Sequence, residues 1–126
     1  PDRFKVAPLE KMPYSNGYFD HIVCNAVLHF AASKDHFKAM ITELHRVLKP
    51  HGVLFIRMTS IFGLPENYKP LGNGRFILED GSERFLLNET LFNWVKKELG
   101  FQQKEPVKSV LVEHWRAMTT LVLVKS

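Results

Sequence analysis

The chain has 126 residues, 45% of them hydrophobic and 24% charged, which fits one soluble globular domain rather than a disordered chain. One cysteine, Cys24, rules out an intramolecular disulfide and any multi-cysteine zinc site, and no apolar run approaches the ~18 residues of a membrane span. The net charge of +4 is spread along the chain rather than gathered in a stripe, so it argues little for nucleic acid. With no signal-peptide pattern at the start, the expected location is cytoplasmic.

Phe4-Lys5-Val6-Ala7 alternates like a strand end and is closed by Pro8. A loop over Met12–Tyr18 follows, its Pro13, Asn16 and Gly17 suited to a turn. Phe19-Asp20-His21-Ile22-Val23-Cys24 then reads as a short buried strand. Phe37, Met40, Ile41, Leu44, Val47 and Leu48 make one apolar stripe at helical spacing. Ser33 is placed to cap that helix, Arg46 and Lys49 complement the dipole at its end, and Lys49-Pro50-His51-Gly52 stops it. Val53–Met58 is the next strand. Strand, helix, turn and strand form a βαβ unit, which implies parallel pairing with a right-handed crossover.

Residues 59–75 carry three glycines and two prolines and read as a long loop, a feature that in a small domain usually serves function. Asp80-Gly81 between Phe76–Glu79 and Glu83–Leu86 is a hairpin signal. Asn88 is placed to cap a second helix with Leu91, Phe92, Val95 and Leu99 on one side and Gly100 at its end. Two β-rich runs, 107–113 and 118–124, close the chain. The elements add up to an α/β fold with a parallel unit and an antiparallel end.

Three strings carry a resemblance. Leu9-Glu10-Lys11-Met12-Pro13-Tyr14-Ser15-Asn16-Gly17-Tyr18-Phe19-Asp20 is similar to the acidic loop, Leu-Pro-Phe step and Phe-Asp strand opening of class I S-adenosylmethionine-dependent methyltransferases. Glu43-Leu44-His45-Arg46-Val47-Leu48-Lys49-Pro50-His51-Gly52-Val53-Leu54 is similar to that family's helix end and turn into the fifth strand, with His51 where the family usually has glycine. Gly100-Phe101 after the second helix is a weaker match. The small-molecule and quinone-type enzymes are the subgroup it resembles most.

The resemblance implies a Rossmann-like sheet in a three-layer αβα sandwich, of which this chain supplies strands 3, 4, 5, 7 and 6. Strands 1 and 2, with the glycine-rich cofactor turn and the ribose-binding acid, have no counterpart before Met12. The implied organisation is a methyltransferase domain over 1–126, its C-terminal portion, with a cap-like insertion at about 59–87. The implied function is methyl transfer from S-adenosylmethionine to a small molecule, the isolated chain being incomplete and of little activity. A non-catalytic α/β binding module that lost the cofactor turn is the alternative. Nucleic-acid binding is a third and weaker reading, and a homodimer through the exposed edge of the fourth strand is the expected assembly.

Roles carried over by position put the adenine against Pro8 and Leu9. Pro8 offers no side-chain acceptor, while Leu9 offers its backbone N–H. Asn25, just past the fourth strand, and Ala26 fall under the methionine moiety, and an amide suits a zwitterion because it both donates and accepts. His29 is the one titratable group near the strand tip, hence the candidate base or orienting group. Phe62, Tyr68 and Arg57 are the acceptor contacts expected from the cap region and strand 5. Arg75, Arg84 and Arg116 are further possibilities, Arg116 with Arg57 if the acceptor is anionic. No grouping of His, Asp or Glu has metal-ligand spacing, and Cys24 reads as a small buried hydrophobe.

Overall fold

The computed structural model of the chain describes residues 12–25, 27–64, 68–113 and 116–126. The expected strand at Phe4–Ala7 lies outside them, as do Pro8, Leu9 and Ala26. The main sheet contains β1 (Phe19–Asn25), β2 (Leu48–Ser60), β6 (Phe101–Gln103), β7 (Lys108–Val112) and β8 (Arg116–Lys125). Its order is β1-β2-β8-β6, with β7 pairing the first half of β8 beside β6's place on the same edge. Helices α1 (Lys34–Val47) and α2 (Glu89–Lys97) complete this unit. β3 (Lys69–Gly72), β4 (Arg75–Ile77) and β5 (Glu83–Phe85) form a separate three-stranded antiparallel sheet.

The caps behave as their chemistry requires. Ser33 Oγ accepts from His36 N at 3.0 Å and Asn88 Oδ1 from Leu91 N at 2.9 Å, each satisfying one orphan donor of a first helical turn. β1 and β2 pair in parallel around α1, so the expected βαβ unit is present. Leu48, read from its spacing as the end of the helical stripe, belongs to β2 instead (φ −88°, ψ 137°). The reason is Pro50: its ring disfavours helical geometry at Lys49, so the chain turns extended once α1 has ended at Val47. β2 therefore starts five residues before the expected Val53, and the β1 register jumps from Phe19↔Leu48 to His21↔Val53 to absorb Pro50, His51 and Gly52.

Gly52 is required at that turn by space. A Cβ there would stand 2.7 Å from the Lys49 carbonyl oxygen and 2.8 Å from the Leu48 side chain. Gly52→Ala is expected to lower the unfolding free energy by about 1–3 kcal/mol, the usual cost of overpacking, read as a lower urea midpoint at unchanged m-value.

Both helices cover one face of the sheet. Phe37, Met40, Ile41 and Leu44 of α1 and Leu91, Phe92 and Val95 of α2 share one core with Leu54, Ile56 and Met58, the alternate residues of β2. On the other face Val23 is 72% exposed and Phe55, its register partner, 36%. The described residues thus supply two of the three layers of the expected sandwich.

Residues 59–75, read as a loop, contain β3, and β4 and β5 flank the Asp80-Gly81 turn as expected. The small sheet docks on the carboxyl end of β2. Thr59 Oγ1 donates to the Phe85 carbonyl at 3.0 Å, Leu87 N donates to the Thr59 carbonyl at 3.1 Å, and the Phe85 ring stacks on Phe37 at 5.1 Å.

Candidate active site at the carboxyl ends of β1 and β2

Parallel strands bring their carboxyl ends to the same side, where ligands of open α/β sheets bind. Here Asn25 and Arg57 are register partners at that end. Asn25 is the last residue of β1 rather than the first beyond it; it is exposed, and its side chain makes no hydrogen bond among the described residues. The chain then passes through a 3₁₀ turn, Leu28–Phe30, that carries His29.

His29 is buried, 4% exposed, with its ring edge-on to Phe30 at 4.5 Å. Among the described residues its Nδ1 has no hydrogen-bond partner, an arrangement rare for a buried polar atom. Burial first, then the positive charges of Arg84, Arg116 and Arg57, push its pKa down to about 4. The imidazole is therefore neutral at physiological pH and keeps a lone pair for a ligand. The turn is anchored from the small sheet: Arg75 Nη1 donates to the Ala31 carbonyl at 2.7 Å, and the Arg84 guanidinium lies 4.9 Å from the Phe30 ring centre.

His29, Asn25 and Arg57 are thus gathered at one end of the sheet. The two expected aromatic contacts have different surroundings. Phe62 packs against the main core and lines a cavity of about 410 Å³ with Phe92, Lys96 and Ser109, a cavity lined by neither His29 nor Arg57. Tyr68 stands edge-on to Phe76 at 5.3 Å in a second apolar cluster built on Leu64, Leu78, Leu86 and Ala117. Phe62 and Tyr68 thus pack against different apolar clusters.

A chain of hydroxyls at the end of β2 was not anticipated. Buried Ser60 and Thr119 bond through their hydroxyls, Ser60 Oγ accepts from Phe62 N at 3.0 Å, and Ser109 Oγ donates to the Phe62 carbonyl at 2.9 Å. Polar residues inside otherwise apolar strands were the available signal. Cys24 is 5% exposed and burial raises its thiol to about 11, so it is an inert core residue. Among the described residues no three His, Cys, Asp or Glu side chains cluster as metal ligands, and no helix is long and apolar enough to cross a membrane.

The architecture matches solved structures over nearly its whole length. A methyltransferase from Methanosarcina mazei, described as S-adenosylmethionine-dependent, superposes with a TM-score of 0.78 at 20% identity, covering 97% of this chain and 66% of that one. The fold is that of the class I methyltransferases. Residues 2–56 match the family model described as a methyltransferase domain, a span that holds the first two strings quoted above and, in the structure, β1, α1 and the β2 turn.

The same methyltransferase fold is shared by the 1,6-didemethyltoxoflavin-N1-methyltransferase of Burkholderia thailandensis, solved with bound 1,6-didemethyltoxoflavin and S-adenosylhomocysteine (TM-score 0.70, 14% identity, 98% of this chain, 51% of that one). It is also shared by the [4+2]-cyclase SpnF (TM-score 0.69, 17% identity, 97% and 56%). The chain therefore spans about half to two thirds of the length of these methyltransferase-fold proteins. No curated protein sequence matches it.

Proposed function

We propose that this chain is the acceptor-side portion of an S-adenosylmethionine-dependent methyltransferase acting on a small molecule. The observation that carries the proposal is the methyltransferase-domain match over residues 2–56, which ends in the strand pair whose carboxyl edge holds Asn25 and Arg57, with His29 in the turn beyond. Asn25 fits the cofactor's amino-acid end, because an exposed amide with no other bond among the described residues can serve both carboxylate and ammonium. Pro8, Leu9 and Ala26 remain the proposed adenine and methionine contacts. The glycine-rich turn is proposed to come from outside residues 1–126, which agrees with the 51–66% coverage of the neighbours.

When bound, S-adenosylmethionine supplies a methyl group on a good leaving group, so alignment is the main demand on the protein. His29 meets part of that demand as a neutral group: Nδ1 accepts a hydrogen bond from the acceptor, fixing its reacting atom, and takes a proton only as the acceptor gives one up. Arg57, Phe62 and Tyr68 are the proposed acceptor contacts. Phe62 serves through the wall of its cavity and Tyr68 through the small sheet. The outer edge of β1, unpaired by any described strand, is the proposed edge for a second copy.

S-adenosylhomocysteine titrated by calorimetry into the chain extended upstream is expected to bind at micromolar Kd, and into residues 1–126 far more weakly. Asn25→Ala in the extended chain is expected to weaken binding about tenfold, the loss of one hydrogen bond to a charged group. No binding by the extended chain would overturn the proposal. Binding without methyl transfer to any small acceptor would favour the second reading, a fold put to other use, for which the cyclase is a precedent in shape.

A further inference from the structure

Arg57, Arg84 and Arg116 all act on His29 near the carboxyl edge. Arg57 projects from β2 beside Asn25, half-buried, and makes no hydrogen bond or ion pair among the described residues. Arg84 lies over Phe30; its described hydrogen bond goes to the neighbouring Glu83 carbonyl at 2.8 Å, and its Nε is buried with no partner among the described residues. Arg116 opens β8, one residue from the Ser60↔Ala117 pair that ends the β2 ladder. All three act on His29, and among the described residues no acidic group acts with them. Asp80, which Arg84 helps hold below the ordinary carboxyl range, is exposed and accepts from Ser82 N at 3.0 Å and Ser82 Oγ at 2.6 Å.

Like charges brought together around a buried imidazole repel, and a guanidinium nitrogen buried without an acceptor forfeits its hydration. Both costs fall when an oxyanion enters, because arginine forks match the geometry of carboxylate and phosphate oxygens. Phe30 adds an apolar floor beside the charge. The combination suits an anion attached to a flat or apolar body.

We infer that the methyl acceptor carries an anionic oxygen group, a carboxylate or a phosphate, and that Arg57 and Arg84, with the charge of Arg116, form the subsite that holds it beside His29 and Phe30. The identity of the anion as part of a methyl acceptor rests on the methyltransferase reading; the subsite does not.

The test uses the isotope-labelled chain without cofactor, titrated with benzoate and separately with inorganic phosphate at low salt and pH 7. Saturable shifts are expected at His29, Phe30 and the Arg57 and Arg84 side chains. Arg57→Gln and Arg84→Gln are each expected to weaken binding about tenfold. Arg84→Lys, which keeps the charge and loses the fork, should fall between, and Lys97→Gln on the exposed side of α2 should change nothing.

Tighter benzoate binding assigns a carboxylate, and tighter phosphate binding a phosphate ester. No saturable binding, or equal affinity in the two glutamine variants with native-like spectra, overturns the subsite. Displacement of the probe by S-adenosylhomocysteine overturns its assignment to the acceptor. Anion binding by an extended chain that binds no S-adenosylhomocysteine leaves the subsite standing and sinks the methyltransferase reading.

Discussion

Phe85→Ala is expected to lower the unfolding free energy by about 3–5 kcal/mol, the range for emptying a fully buried aromatic site. Phe85 is 0% exposed and nearly parallel to Phe37 of α1, with 13° between the rings. Gly74, at φ +83°, brings the chain so close beneath the ring that a Cβ there would collide with it. One side chain thus ties β5, the turn before β4 and α1 together. The cavity would be hard to close, because Thr59 Oγ1 fixes the same residue's carbonyl and holds the backbone in place.

The measurement is urea unfolding followed by tryptophan fluorescence. A loss under about 1 kcal/mol would mean that the small sheet is not docked on the core as described. The variant also bears on the site, since Arg84 is the next residue and Arg75 in β4 holds the Ala31 carbonyl. Loosening β5 should therefore weaken anion binding in step with stability.

The second large effect is one of pH. His29 has a folded pKa of about 4 against an ordinary value of 6.5. Above pH 6.5 neither state binds the proton, and the residue adds no pH dependence. Between 6.5 and 4 the unfolded chain takes up a proton that the folded chain refuses, so stability falls as the pH drops through that window and levels off below it. At about 1.4 kcal/mol per pH unit, a folded value of about 4 against 6.5 corresponds to about 3 kcal/mol.

His29→Phe should remove that share of the slope. The slope that remains includes His45, also lowered, by burial and then by Lys125, and, at more acid pH, Glu43 and Asp80, whose carboxyls are held low by Arg46 and Ser82 respectively. Urea midpoints at several pH values for both proteins, with the His29 ring titrated by NMR, check this. A His29 midpoint near 6.5 would show that the ring is solvated and that the arginines do not surround it.

Much of the secondary structure was legible in the residues alone because the forces that make it are local. The stripe from Phe37 to Val47, the Ser33 and Asn88 caps and the Asp80-Gly81 turn each depend on neighbours within a few positions, and each formed. The strings at 9–20 and 43–54 fall inside the span that matches the methyltransferase-domain model. Leu48 went to the strand because helical spacing does not register what Pro50 forbids two residues on. β3 escaped notice because a four-residue strand with Pro70 and Gly72 has no periodicity, and only pairing with β4 makes it one.

The site divides in the same way. Composition, order and spacing determined an α/β chain with one inert cysteine, and local sequence placed Asn25 and His29 at the end of a strand. Tertiary structure decided that His29 is buried and neutral, that Phe62 and Tyr68 face different clusters, and that Arg57, Arg84 and Arg116 act on one imidazole. These facts depend on contacts between positions far apart in the chain. A sequence carries the charge of each arginine, but only the docking of the small sheet on β2 and β8 makes three of those charges a single field.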